Sequence, residues 1–110
     1  MSLGVLMAEV KIPFMSSFRQ KMEADIKTMT SRTRSYGQPG DHFYVFGHRF
    51  DITEVVTMLL GDVAEKYYIQ EGCDSPEHFK QVWAGIHFNK GFVAEQPVRA
   101  HTFRRVLIEK

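Results

Sequence analysis

The sequence predicts an α+β fold, and three observations carry that expectation. Residues 27–34 alternate hydroxyls with cations and suit an extended strand. Residues 52–60 form a second, strongly β-prone run. Phe79, Val82, Trp83 and Ile86 recur at i, i+3, i+4, i+7, the spacing of one helix face. At 110 residues one hydrophobic core is the natural expectation. The 44% hydrophobic and 25% charged fractions are those of a globular chain. A net charge of +1 exerts no general pull on nucleic acid, so any RNA contact must come from a local basic patch. Cys73 is the single cysteine, which excludes an internal disulfide, argues against a cysteine metal site and fits a reducing cytoplasm. No apolar run reaches membrane-spanning length, so no membrane partner is expected. Met1 to Met7 lacks the basic region that would precede a signal peptide's apolar core. Residues 1–6 are read as a leader, disordered or appended to the domain.

From the amino end, Val10, Ile12 and Phe14 alternate with polar residues and Pro13, which predicts a short strand. Ser16 or Ser17 can cap a helix whose buried stripe is Phe18, Met22 and Ile26. That helix delivers the chain to Lys27. Residues 42–46 read as a strand, Gly47-His48 as a tight reversal, and residues 52–60 as a central strand buried partly on both faces, with room for a bulge. Gly61-Asp62 is expected to break that run, and residues 63–70 to form a short helix stopped at Gly72. Ser75-Pro76-Glu77 is a strong helix start: a capping hydroxyl, a proline at the first turn, and an acid at the positive end of the dipole. Phe79, Trp83 and Ile86 are expected to bury against the sheet, with Trp83 a core anchor in preference to a base-stacking platform. Residues 98–108 complete the set as a last strand carrying Arg99, Arg104 and Arg105.

The stretch most suggestive of function is residues 27–41. If it is extended, Thr28, Thr30, Arg32 and Arg34 share one face, a row of two hydroxyls and two guanidiniums suited to an anionic or hydrogen-bonding ligand. An edge strand with solvated polar residues is the plain alternative. Pro39 and Gly40 fit a type II turn, the first presetting φ and the second supplying a positive one. His42 and His48 read as surface or turn residues. No spacing unites them with His78, His87 and His101, so no metal and no cofactor are expected.

Lys27-x-x-Thr30-x-Arg32 followed by Pro39-Gly40-Asp41 resembles the signature of the ASCH domain, a small β-barrel related to the PUA RNA-binding fold. Further matches follow in order: Glu71-Gly72-x-x-Ser75-Pro76-Glu77-x-Phe79, then Trp83 with Ile86-His87, then His101-x-Phe103-x-x-Val106. The resemblance covers almost the whole chain after Pro13. One departure is Asp25, where the family often has glycine, although Asp tolerates the left-handed turn better than most residues. The resemblance implies a mostly antiparallel PUA-like barrel of about five or six strands with helices at its openings, in one domain spanning residues 1–110.

Two function classes follow from that resemblance. The first is a module that binds RNA or a nucleoside or nucleotide in a polar cleft. In it Arg32, Arg34, Arg104 and Arg105 hold phosphates, and Thr28 and Thr30 contact base or sugar. The near-neutral charge favours a short ligand. The second is an amidohydrolase that removes acetyl from acetylcytidine nucleosides. Its implied catalytic residues are Lys27, Thr30 and Glu71. Two assignments stand at this point: a neutral Lys27 activates Thr30, or Glu71 accepts the proton while Lys27 stabilises negative charge. Either way, Lys27, Thr30 and Glu71 should meet in one pocket. No protein partner is indicated.

Overall fold

The computed structural model describes residues 7–107; the expected leader at residues 1–6 and the last expected strand residue, Ile108, lie outside them. In chain order, a 3-10 turn at Ser16–Phe18 runs into α1 (Arg19–Glu23). It is followed by β1 (Met29–Arg32), β2 (His42–Val45), β3 (His48–Leu59), α2 (Leu60–Lys66), α3 (Pro76–Ile86) and β4 (Pro97–Arg105). The strands form one antiparallel sheet in the order β1-β4-β3-β2, curled into a half-barrel. The expected α+β class holds. The described sheet has four strands where about five or six were expected, so it stays open along β1 and β2.

The missing amino-terminal strand is reduced to one parallel bridge, Glu9 to His42. Pro13 offers no N–H and the segment turns away from β2 to cover the sheet. Its Ile12 side chain is buried all the same. Gln38-Pro39-Gly40-Asp41 closes as expected: the Asp41 N–H donates to the Gln38 carbonyl at 3.0 Å and Gly40 has φ 98°. The reversal between β2 and β3 uses Phe46 and Gly47, both at positive φ, one residue earlier than Gly47-His48. The bulge in β3 falls between Ile52 and Glu54.

Three expectations fail in instructive ways. The β-prone run does end here, at Leu59, but Gly61-Asp62 lies inside α2, which starts at Leu60 where residue 63 was expected and ends at Lys66, short of residue 70. The Gly61 N–H donates to the Ala94 carbonyl at 2.8 Å, and a Cβ there would meet the Ala94 Cβ at 2.9 Å. The glycine thus serves close backbone approach. The first helix is shorter than its apolar stripe implied: Met22 is buried, but Ile26 lies past the helix end and is exposed. α3 starts as expected, with the Ser75 hydroxyl accepting from the His78 N–H at 3.0 Å. Its Phe79 and Trp83 are buried, whereas Ile86 is 54% exposed because the helix ends there, at a cavity mouth.

Apolar burial divides into two clusters. One joins Leu60, Val63, Ala64, Phe79, Trp83 and Val98 between α2, α3 and the sheet. The other joins Ile12, Met22, Phe43, Phe50, Ile52 and Phe103. Its rings interlock: Phe43 stacks on Phe50 at 5.3 Å and both meet the edge of Phe103. A cavity lies between these two cores, walled by residues packed against each.

Candidate functional site

α1 ends at Glu23, and Asp25, at φ 60°, bends the chain sharply. The turn is tied down by the Ile26 and Lys27 N–H groups, which both donate to the Lys21 carbonyl. Lys27 therefore enters the interior from the helix-to-strand turn, with 3% of its surface exposed. Its Nζ donates to the carbonyls of Met29 at 2.8 Å and Glu71 at 2.6 Å, and lies 4.5 Å from the Phe18 ring centroid. Glu71 arrives from the far side, on the turns after α2. Gly72, at φ 92°, lets the chain fold back there; a Cβ on it would press within 3.0 Å of Lys27 and Phe18.

The Glu71 carboxylate is buried beside this ammonium. Oε1 lies 3.8 Å from Lys27 Nζ, and Oε2 accepts a 2.7 Å hydrogen bond from the Ser31 hydroxyl. Burial and opposite charge compete at both partners. At Lys27 burial wins: desolvation, opposed by Glu71 and assisted by Arg32, lowers the amine to about 8. At Glu71 burial also dominates and raises the carboxyl, against Lys27, the Ser31 hydrogen bond and Arg32.

Thr30 is buried on the same wall, but its hydroxyl accepts from an Arg32 guanidinium N–H. The same guanidinium donates to the Ser31 and Pro13 carbonyls, and so straps β1 to the amino-terminal segment. Behind Thr30 sits His101, wholly buried. Its Nε2 accepts from the Tyr36 N–H at 3.0 Å, which leaves Nδ1 to donate to the Thr30 carbonyl at 3.2 Å. Burial lowers this imidazole, in keeping with a neutral ring.

Lys27, Thr30, Ser31, Arg32 and Glu71 all line one cavity of about 390 Å³. Its remaining wall is apolar and largely aromatic: Phe14, Phe18, Tyr36, Phe79, Trp83 and His87. Trp83 and His87 stack at 4.2 Å, and the Trp83 Nε1 has no acceptor among the described residues. Among those residues no group of three or more His, Cys, Asp or Glu is placed to hold a metal.

The other expected ligand-binding residues are not brought here. Thr28 precedes β1 and, with Arg104 and Arg105, lines a separate cavity of about 240 Å³. Arg105 there is paired with Asp25 by two 3.1 Å contacts. The reason is register. β4 does lie beside β1, but Thr30 faces His101 and Arg32 faces Arg99, so Arg104 and Arg105 run past the end of β1. Arg34 is exposed, with its guanidinium 3.9 Å above the Tyr36 ring at the outer side of that wall. Sequence reasoning missed Ser31, assigned by alternation to the face opposite Thr30. It also missed His101, whose shared parity with Phe103 was the available signal for burial.

No protein-family model matches the sequence, and neither does any curated protein. Solved structures do. The crystal structure of the hypothetical protein PH0355 aligns with TM-score 0.66 at 12% identity, over 90% of this chain and 96% of that one. The crystal structure of an ASCH domain from Lactobacillus crispatus aligns with TM-score 0.64 at 12% identity, over 90% of this chain and 79% of that one. The solution structure of protein PF0455 from Pyrococcus furiosus aligns with TM-score 0.63 at 14% identity, over 92% and 96%. At such identities the likeness is one of fold.

Proposed function

We propose that this chain, which has the fold of an ASCH domain, binds a nucleoside-sized ligand in the cavity between its two cores. The observation that supports this reading most directly is the pairing of flat aromatic walls with a buried polar floor in about 390 Å³. His87, stacked on the buried Trp83 ring, offers a face to a planar heterocycle, and Lys27, Thr30, Ser31 and Glu71 offer donors and acceptors to its edge. A long RNA is the weaker fit. The net charge is +1, Arg32 is occupied in strapping β1, and Arg104 and Arg105 sit at another cavity. We read the whole chain as one such domain, at work in a reducing cytoplasm that suits its free Cys73.

A second reading is favoured by the Lys27–Glu71 pair itself. An amine held at about 8 beside a buried carboxylate, with two hydroxyls alongside, is the equipment of acyl transfer. On this reading Lys27, Thr30 and Glu71 belong to an amidohydrolase that removes acetyl from acetylcytidine-type nucleosides.

Titration calorimetry of the purified protein with cytidine, acetylcytidine, uridine, adenosine and a short single-stranded RNA tests both, with acetate release followed in parallel. Saturable binding of at least one nucleoside is expected. Binding of RNA alone, with a steep salt dependence, would replace the pocket reading with a backbone-binding one. Acetate release from acetylcytidine would establish the hydrolase.

A further inference from the structure

We infer that Ser31, and not Thr30, is the hydroxyl nucleophile of this site, with Glu71 as the acceptor of its proton. The inference rests on the hydrolytic reading above and deepens it. Of the hydroxyls on the cavity wall, only that of Ser31 is hydrogen-bonded to a carboxylate among the described residues, Glu71 Oε2 at 2.7 Å. The Thr30 hydroxyl instead receives an N–H from Arg32, which occupies an oxygen lone pair with a cation. No hydrogen bond joins Thr30 to Lys27, whose Nζ is committed to two backbone carbonyls. Below pH 8, where the amine keeps its proton, Lys27 is thereby held as a positive charge near Glu71 at 3.8 Å, which suits it to steady an oxyanion better than to carry a proton away. Cys73, the thiol on this wall, is pushed upward by burial and stays protonated. Burial also raises Glu71, which makes its carboxylate a stronger base than in water.

The step balances with the groups present. Ser31 Oγ bonds to the amide carbonyl carbon while its proton passes to Glu71. The carbonyl π pair moves onto oxygen, facing Lys27. Collapse breaks the C–N bond, and Glu71 returns the proton to the departing nitrogen. Water then attacks the Ser31 ester, Glu71 takes the water's proton and hands it to Ser31 Oγ, and the acid leaves.

The test uses an activated ester, so that it does not depend on which nucleoside binds. Wild-type protein is mixed with p-nitrophenyl acetate, quenched in acid at short times and mapped by peptide mass spectrometry. An acetyl group on Ser31 that hydroxylamine removes is expected. Glu71→Gln should slow its appearance about a hundredfold, the scale of a lost general base. A hydroxylamine-labile acetyl on Thr30, or only a resistant acetyl on Lys27, would overturn the assignment. Ser31→Ala should abolish the labile label; because that change strands a buried carboxylate, its thermal melt is measured alongside, and the wild-type map decides if it does not fold. A Ser31 label with acetylcytidine left intact keeps the nucleophile and sinks the acetylcytidine reading. Acetylcytidine hydrolysis with no label on Ser31 does the reverse.

Discussion

Lys27 grips Glu71 at both ends of the residue: its Nζ donates to the Glu71 backbone carbonyl at 2.6 Å and lies 3.8 Å from the carboxylate Oε1. The first contact fixes where the carboxylate starts and the second what it feels. An ammonium held by two carbonyls cannot drift away from the acid it neutralises. Two ionisable groups, 44 positions apart in the chain, thus form one buried charge pair.

That coupling has a measurable pH signature. Lys27 is lowered from an ordinary 10.5 to about 8, so above pH 8 the unfolded chain binds more protons at this position than the folded one. Stability from this group is therefore fully present above 10.5 and is lost as pH falls through 8. The gap corresponds to about 3 kcal/mol. Urea unfolding of wild type and Lys27→Met between pH 7 and 10.5 should show wild type gaining on the variant by up to that amount. Parallel curves would mean that the folded and unfolded amines titrate alike.

Trp83 and Ile86 share a helix face but not an environment. Trp83→Ala should cost about 3–5 kcal/mol of unfolding free energy, since the ring is buried in the α2–α3 cluster. Ile86→Ala should cost less than about 1 kcal/mol, because the side chain is half in water at the cavity mouth. A cost below about 1 kcal/mol at Trp83 would expose the ring and make it a stacking platform instead.

Gly72 supports the site through its backbone. Gly72→Ala must adopt φ 92° and place a Cβ 3.0 Å from both Lys27 and Phe18. A loss of about 1–3 kcal/mol in chemical denaturation is expected, together with weaker nucleoside binding as Lys27 is displaced. A neutral substitution would show that the turn has another conformation open to it.

Arg104 and Arg105 line a second cavity, which shares Lys27 with the first but none of Thr30, Ser31 or Glu71. Arg104→Ala should change the free energy of nucleoside binding by no more than about 0.5 kcal/mol, and the binding isotherm should shift little with salt. A marked loss would bring that surface into the ligand site after all.

How much of this was legible in the sequence depends on how local each cause is. The start of α3 and the burial of Phe79 and Trp83 were legible because the cap, the proline and the apolar spacing lie within a few residues, whereas the exposure of Ile86 at the helix end was not. The type II turn at Gly40 was legible for the same reason. Gly61 was misread because its reason is Ala94, a backbone approach that no local pattern encodes. The placing of Lys27 opposite Glu71 came from the ASCH resemblance and not from periodicity. Ser31 was lost to an alternation rule that assumes one wet face. β1 is four residues long, and Met29, Thr30 and Ser31 are all buried, so neighbours of opposite parity line the same cavity. Arg104 and Arg105 were assigned by charge alone, whereas register decides which cavity they reach.

The sheet order has a consequence for how the protein comes into being. β1 is an edge strand whose sheet neighbour is β4, so Thr30 waits for His101, 71 positions later, before its carbonyl has a partner. During synthesis the β2–β3 hairpin and the helices after it can form while the cavity-bearing strand is still unpaired. Pairing so distant in sequence is slow, since the loop must close before any contact rewards it. Pulse-labelled hydrogen exchange during refolding should find the Ser31 amide protected later than that of Phe50. On that order the half-barrel is built from its β2 edge across to β1, and the last seam to close is the one that seats Thr30 and Ser31 on the sheet.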